Sequence, residues 1–168
     1  MSRYLLAALV TVGCIGDVSA QATRIEGVWR ITERITPPGN PRAQGVQVIA
    51  TNPQPGLIIF TRGYYSEVYL GGAARPTVAP ARDALKLTDT EKIAKYEEWR
   101  PLTANAGTYT IEGSRLIRHP IVAKNVDVMT RDTRVPLEFK LEDANTLWLL
   151  PTAERAATEP RTKLTRVE

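Results

Sequence analysis

Cysteine and histidine are almost missing from this chain, with one of each in 168 residues. Cys14 lies within the first twenty residues. The rest of the chain therefore has no thiol nucleophile, no disulfide and no cysteine ligand for a metal. His119 cannot complete a ligand set alone, so no metal is expected, and no cofactor is implied. Gly-x-Ser-x-Gly, His-Glu-x-x-His and a phosphate-cradling glycine loop are also missing, which removes the signatures of several hydrolases and phosphotransferases. No apolar run approaches the roughly 20 residues of a membrane-spanning helix. Charge of one sign is not concentrated either. The formal net charge is +4, with Lys and Arg interspersed among Asp and Glu, so no basic stripe marks a nucleic-acid partner.

The longest apolar run, "YLLAALVTV" (4–12), follows Arg3 and precedes the small residues of "VSAQA" (18–22). This reads as a signal peptide over 1–20, cleaved after Ala20 or as late as Ala22, and places the protein in the periplasm or outside the cell. "TVGC" (11–14) resembles a lipoprotein signal only weakly, because Thr11 stands where Leu is expected. Residues 23–168 then form one domain, long enough for a real core.

Alternation of apolar and polar residues dominates from residue 25 onward. "IEGVWRITERI" (25–35) reads as a first strand and "PPGNPRAQG" (37–45) as a loop, with "VQVIA" (46–50) a short strand. "GLIIFT" (56–61) and "YYSEVYL" (64–70) form a hairpin turning at Gly63. "GGAARPTVAPAR" (71–82) is a connection. "GTYTI" (107–111) pairs with "RLIRHPIVA" (115–123), which "VDVMT" (126–130) extends. "PLEFKL" (136–141) pairs with "TLWLLP" (146–151), and "TKLTRV" (162–167) ends the chain. One helix interrupts the series within an insertion over 83–104. Thr88 and Glu91 make its capping box, and Pro101 stops it near Trp99. Its Ile93–Tyr96–Trp99 stripe is expected to pack on the strands, or alternatively to act as a lid.

Connections this short permit antiparallel neighbours but not crossovers. Eight or nine such strands in one open sheet would leave two bare edges, and closure removes them. The expected fold is all-β: a closed up-and-down antiparallel barrel of about eight strands. Its interior would hold side chains or one small ligand.

Four segments in order carry a resemblance: "GVWRI" (27–31), "GLIIFTRGYYS" (56–66), "AGTYTIEG" (106–113) and "RVPLEFKLEDANTLWLLP" (134–151). With them, the chain over about 25–168 resembles the bacterial lipocalin-like domain family. The resemblance implies that Gly27 and Trp29 of the first strand close one barrel end and that Arg166 of the last strand packs on the indole. It also implies that His119, in a strand where members often carry histidine, lines the lumen.

The candidate site residues follow from strand faces. Strict alternation from Trp29 would point Glu33 inward as a polar anchor or raised-pKa acid; a bulge before it would leave it at a wet rim. On 64–70, either Tyr65, Glu67 and Tyr69 face inward, or Tyr64, Ser66, Val68 and Leu70 do. Tyr109 alternates with Gly107 and Ile111 and is interior. Arg134 either neutralises Glu33 or Glu67, binds an acidic ligand head, or sits solvated at a strand end. Leu137, Phe139 and Leu141 are core. The leading expectation is a binding protein for a small, mostly hydrophobic or amphipathic ligand, contacted by Glu33, Tyr65, Tyr69, Tyr109, His119 and Arg134. Two alternatives stand. One is a cofactor-independent cyclase or isomerase with Glu33 and His119 as acid and base. The other is an envelope interaction protein with a filled barrel.

Overall fold

Each run of alternating residues becomes a strand that turns one side to a shared interior. The computed structural model describes residues 24–71, 86–129 and 134–168. The expected signal peptide and most of the 71–82 connection lie outside the described residues. The strands are β1 (Gly27–Thr36), β2 (Val48–Thr51), β3 (Gly56–Phe60), β4 (Tyr64–Leu70), β5 (Leu102–Glu112), β6 (Arg115–Ala123), β7 (Val135–Asp143), β8 (Thr146–Leu150) and β9 (Arg161–Arg166), with helix α1 (Asp89–Trp99) between β4 and β5. All pairings are antiparallel. From β3 to β9 each strand pairs with the next, and β9 returns to β1.

The count of barrel strands follows from β1. One edge of it is taken by β9. The other edge pairs Gly27–Arg30 with β3 and Glu33–Thr36 with β2. A strand has only two edges, so β2 and β3 form a single interrupted strand, and the barrel closes with eight. This is the expected closed up-and-down antiparallel architecture, in which each of the eight barrel strands has a neighbour on both sides.

The core is the inward half of these strands. Trp29, Phe60, Leu116, Leu147 and Leu164 are fully buried, and Leu137 and Leu141 pack against the cluster that contains Phe139. Phe60 and Tyr109 meet edge to face, 5.4 Å between centroids. One barrel end is shut as the resemblance implied. The Arg166 guanidinium carbon lies 4.2 Å from the centre of the Trp29 ring. Its nitrogens donate to the carbonyls of Glu26, Arg24 and Ala144 at 2.6–2.8 Å. The indole N–H donates to Ile25 O at 2.7 Å. Burying a tryptophan removes about 150–250 Å² from water, an upper estimate of roughly 4–6 kcal/mol. Gly27 makes the approach possible. Its φ is +137°, and a Cβ there would overlap Arg166 and the Glu168 carbonyl.

Two expectations need correction. Residues Val126–Val128 form a 3₁₀ turn rather than a strand, because the Asn125 side chain accepts from Asp127 N and nucleates the turn. The α1 stripe does not pack on the barrel: Ile93, Tyr96 and Trp99 are each about 60% exposed, and no residue of α1 is buried. The capping box forms as expected. At the other end the Lys124 ammonium donates to the carbonyls of Trp99, Arg100 and Leu102, so α1 is held by its termini rather than by its face.

Candidate functional site

The bulge at Thr32 decides what the open half of the barrel contains. Ile31 pairs with Leu164 and Glu33 with Lys163, so β1 spends one extra residue where β9 spends none. The Asn52 amide, at φ +47°, donates to Thr32 O, which ties the bulge to the interruption between β2 and β3. Alternation is reset at this point. Trp29 and Ile31 face inward before the bulge, and Arg34 faces inward after it. Glu33 turns to the outer face with its partner Lys163 and does not line the cavity.

The cavity beyond the bulge has a volume of about 260 Å³. One wall is aliphatic, from Ile31, Ile58, Leu137 and Leu149. The other wall is charged. Glu67 and Arg118 form an ion pair at 2.6 Å, with side chains only 8% and 12% exposed. The second carboxylate oxygen accepts from the Asn105 amide at 2.5 Å. Three strands position this trio: β4 carries Glu67, β5 carries Asn105 directly across from it, and β6 carries Arg118. Tyr65, Glu67 and Tyr69 are thus the inward set of β4, while Tyr64 and Val68 are exposed.

Burial is the main influence on the tyrosine hydroxyls of the interior. The Arg118 guanidinium lies 5.5 Å from the Tyr65 ring centre. Burial pushes the Tyr65 hydroxyl up to about 12; nearby Arg118 pulls it down and Glu67 raises it further. That hydroxyl and Arg118 Nε have no hydrogen-bond partner among the described residues. Burial also raises the Tyr109 hydroxyl, which donates to Thr61 O at 2.9 Å. Tyr109 therefore serves the core near the shut end. Tyr69 lies at the cavity's outer limit, with the Arg34 guanidinium 4.9 Å above its ring. Arg155 and Glu159, paired at 2.5 Å, reach over the opening from the loop after β8.

His119 and Arg134 are not brought into the cavity. Across from Thr108, His119 lies on the outer face of β6, because its neighbour Arg118 pairs with inward Tyr109. Gly107 marks a second bulge here, where β5 and β6 approach so closely that a Cβ would overlap the His119 carbonyl. Arg134 is 61% exposed beside Glu112. Glu33 and His119 lie on non-adjacent strands, both facing outward, so the acid–base pair considered above is not assembled. Sequence reasoning missed Arg34 and Arg118. The signal for Arg118 was available in part: an inward Glu67 demands a cation, and "LIR" (116–118) alternates as well as "IRH" (117–119) does.

No protein-family model matches the chain, and no curated protein matches it. Among solved structures, a lipocalin-like protein from Bacteroides uniformis is similar, at 11% identity and a TM-score of 0.45, over 85% of this chain and 98% of that one.

Proposed function

We propose that the protein binds a small amphipathic molecule inside the barrel and is exported to the periplasm or beyond. The observation that carries the reading is the charged wall of Glu67 and Arg118, with Asn105 bonded to Glu67 beside them, facing an aliphatic wall across an open-ended cavity. A barrel that served only as a filled scaffold would gain nothing from this pair. Desolvating two ions costs about what their attraction returns, and apolar residues of equal volume are often as stable. The same pair is well suited to fix the orientation of a ligand whose body lies on the aliphatic wall. Ligand sites combine an apolar lining with a few placed polar groups in this way.

The test uses the neutral fluorophore N-phenyl-1-naphthylamine with the purified protein. Saturable enhancement at one site, lost in an Ile58→Glu variant that keeps its far-ultraviolet circular dichroism, supports the reading. No enhancement over buffer refutes it. Export is tested separately, by mass spectrometry of the N-terminus of protein recovered from a periplasmic extract. A start at residue 21 or 23 is expected, and an intact Met1 would contradict it.

A further inference from the structure

A second concavity of about 470 Å³ opens directly outside the first and shares Arg34, Tyr69 and Pro160 with it. Its walls are partly apolar, from Val48, Pro53 and Leu70, yet it is also lined by Arg34, Arg42 and Arg100 and, among the described residues, by no carboxylate. Elsewhere around the opening the cations are matched. Arg118 has Glu67, Arg155 has Glu159, and Arg100 has Glu97 at 2.9 Å on its outer side. Arg34 and Arg42 have no carboxylate partner among the described residues. Two uncompensated guanidiniums therefore border one groove.

Arg34 is placed by a ring contact, and Arg42 by the backbone of its loop, with its side chain exposed. The Arg34 guanidinium carbon lies 4.9 Å from the centre of the Tyr69 ring, and the guanidinium N–H groups have no hydrogen-bond partner among the described residues. Arg42 is set by its loop: its backbone N–H donates to Asn40 Oδ1 at 2.9 Å, and Asn40 Nδ2 donates to Thr158 O at 2.6 Å. Ala43, next to it, is buried and anchors the turn. The Arg42 side chain reaches the position above Gly71, where a Cβ would lie 3.9 Å from Nη1. The planar fork of an arginine matches an oxyanion with two parallel N–H···O bonds.

We propose that this groove is an oxyanion subsite and that the ligand is a small amphipathic anion. Its carboxylate or phosphate head rests between Arg34 and Arg42, and its apolar body passes Tyr69 onto the Ile31–Ile58–Leu149 wall. The proposal rests on the binding function above and adds the sign and place of the ligand's charge.

Displacement of N-phenyl-1-naphthylamine by decanoate, decyl phosphate and decan-1-ol tests it, with direct calorimetry of each. At least one anion is expected to bind about ten-fold tighter than the alcohol, because each charged hydrogen bond contributes on that scale. The ratio of the two anions identifies the head. Arg42→Gln should remove about that factor for the anions and leave the alcohol within two-fold, whereas Arg30→Gln, on the exposed outer face of β1, should change neither. The preference should also fall between about 20 and about 500 mM salt. If the fluorophore binds but decanol competes as well as both anions, or if the preference survives Arg34→Gln and Arg42→Gln together, the subsite is overturned and the binding function stands. If neither fluorophore nor any amphiphile binds, both fall.

Discussion

Replacing Arg118 by methionine should cost about 3–5 kcal/mol. The pair is separated by 2.6 Å and is nearly dry. At an effective dielectric of about 20 the attraction is roughly 6 kcal/mol. Desolvation costs several kcal/mol for each ion, so the pair as a whole is close to neutral. Removing only the arginine leaves the Glu67 carboxylate buried against Tyr65 with Asn105 as its remaining donor, and the desolvation cost is no longer offset. Adding Glu67→Gln should recover most of the loss, since a neutral amide still bonds Asn105 without an uncompensated charge. The assay is urea denaturation of the two single variants and the double variant, completing a double-mutant cycle at unchanged m-value. An Arg118→Met variant within about 1 kcal/mol of wild type would show that the pair is hydrated or rearranged, and the description of a dry charged wall would be wrong.

Tyr65→Phe should leave stability at neutral pH unchanged or raised by about 1 kcal/mol, because the hydroxyl it removes is buried without a partner. The same variant should resist alkali. With the folded pKa raised from 10 to about 12, the wild type keeps this contribution below pH 10 and loses up to about 2–3 kcal/mol as pH rises through 12. Urea midpoints of both proteins at about pH 9 and about pH 11.5 check the sign; an equal loss in both would refute it. Gly27→Ala should destabilise by at least about 1–3 kcal/mol, since it combines left-handed strain with overlap onto Arg166, and a thermal midpoint equal to wild type would contradict the packing of that end.

The barrel was legible because its evidence is redundant. Alternation and short turns point to antiparallel neighbours, the bare edges of so many strands favour closure, the resemblance adds the Trp29–Arg166 pair, and an error in one strand does not disturb the others. The site had no such redundancy. Its contents depend on single-residue phase, and one bulge at Thr32 exchanges Glu33 for Arg34. Bulges carry no strong sequence signature beyond a local break in pattern, and "ITERIT" (31–36) shows none. The choice between Arg118 and His119 failed for a related reason. Isoleucines flank His119 on its own face, but Ile121 is 64% exposed, so apolar character did not mark the interior there. The α1 stripe shows the same limit: Ile93, Tyr96 and Trp99 have helical spacing without a covering surface. Tyr65, Glu67 and Tyr69 were recognised as one face, and only coordinates could choose its direction.

The central claim is that the chamber between the Glu67–Arg118 pair and the aliphatic wall takes the ligand. Backbone amide shifts in a ¹H–¹⁵N spectrum, recorded during titration with N-phenyl-1-naphthylamine, test this most directly. The largest changes should fall at Ile58, Glu67, Tyr69 and Arg118. Changes confined to the exposed Ile93–Tyr96–Trp99 stripe, with the barrel signals unmoved, would contradict it.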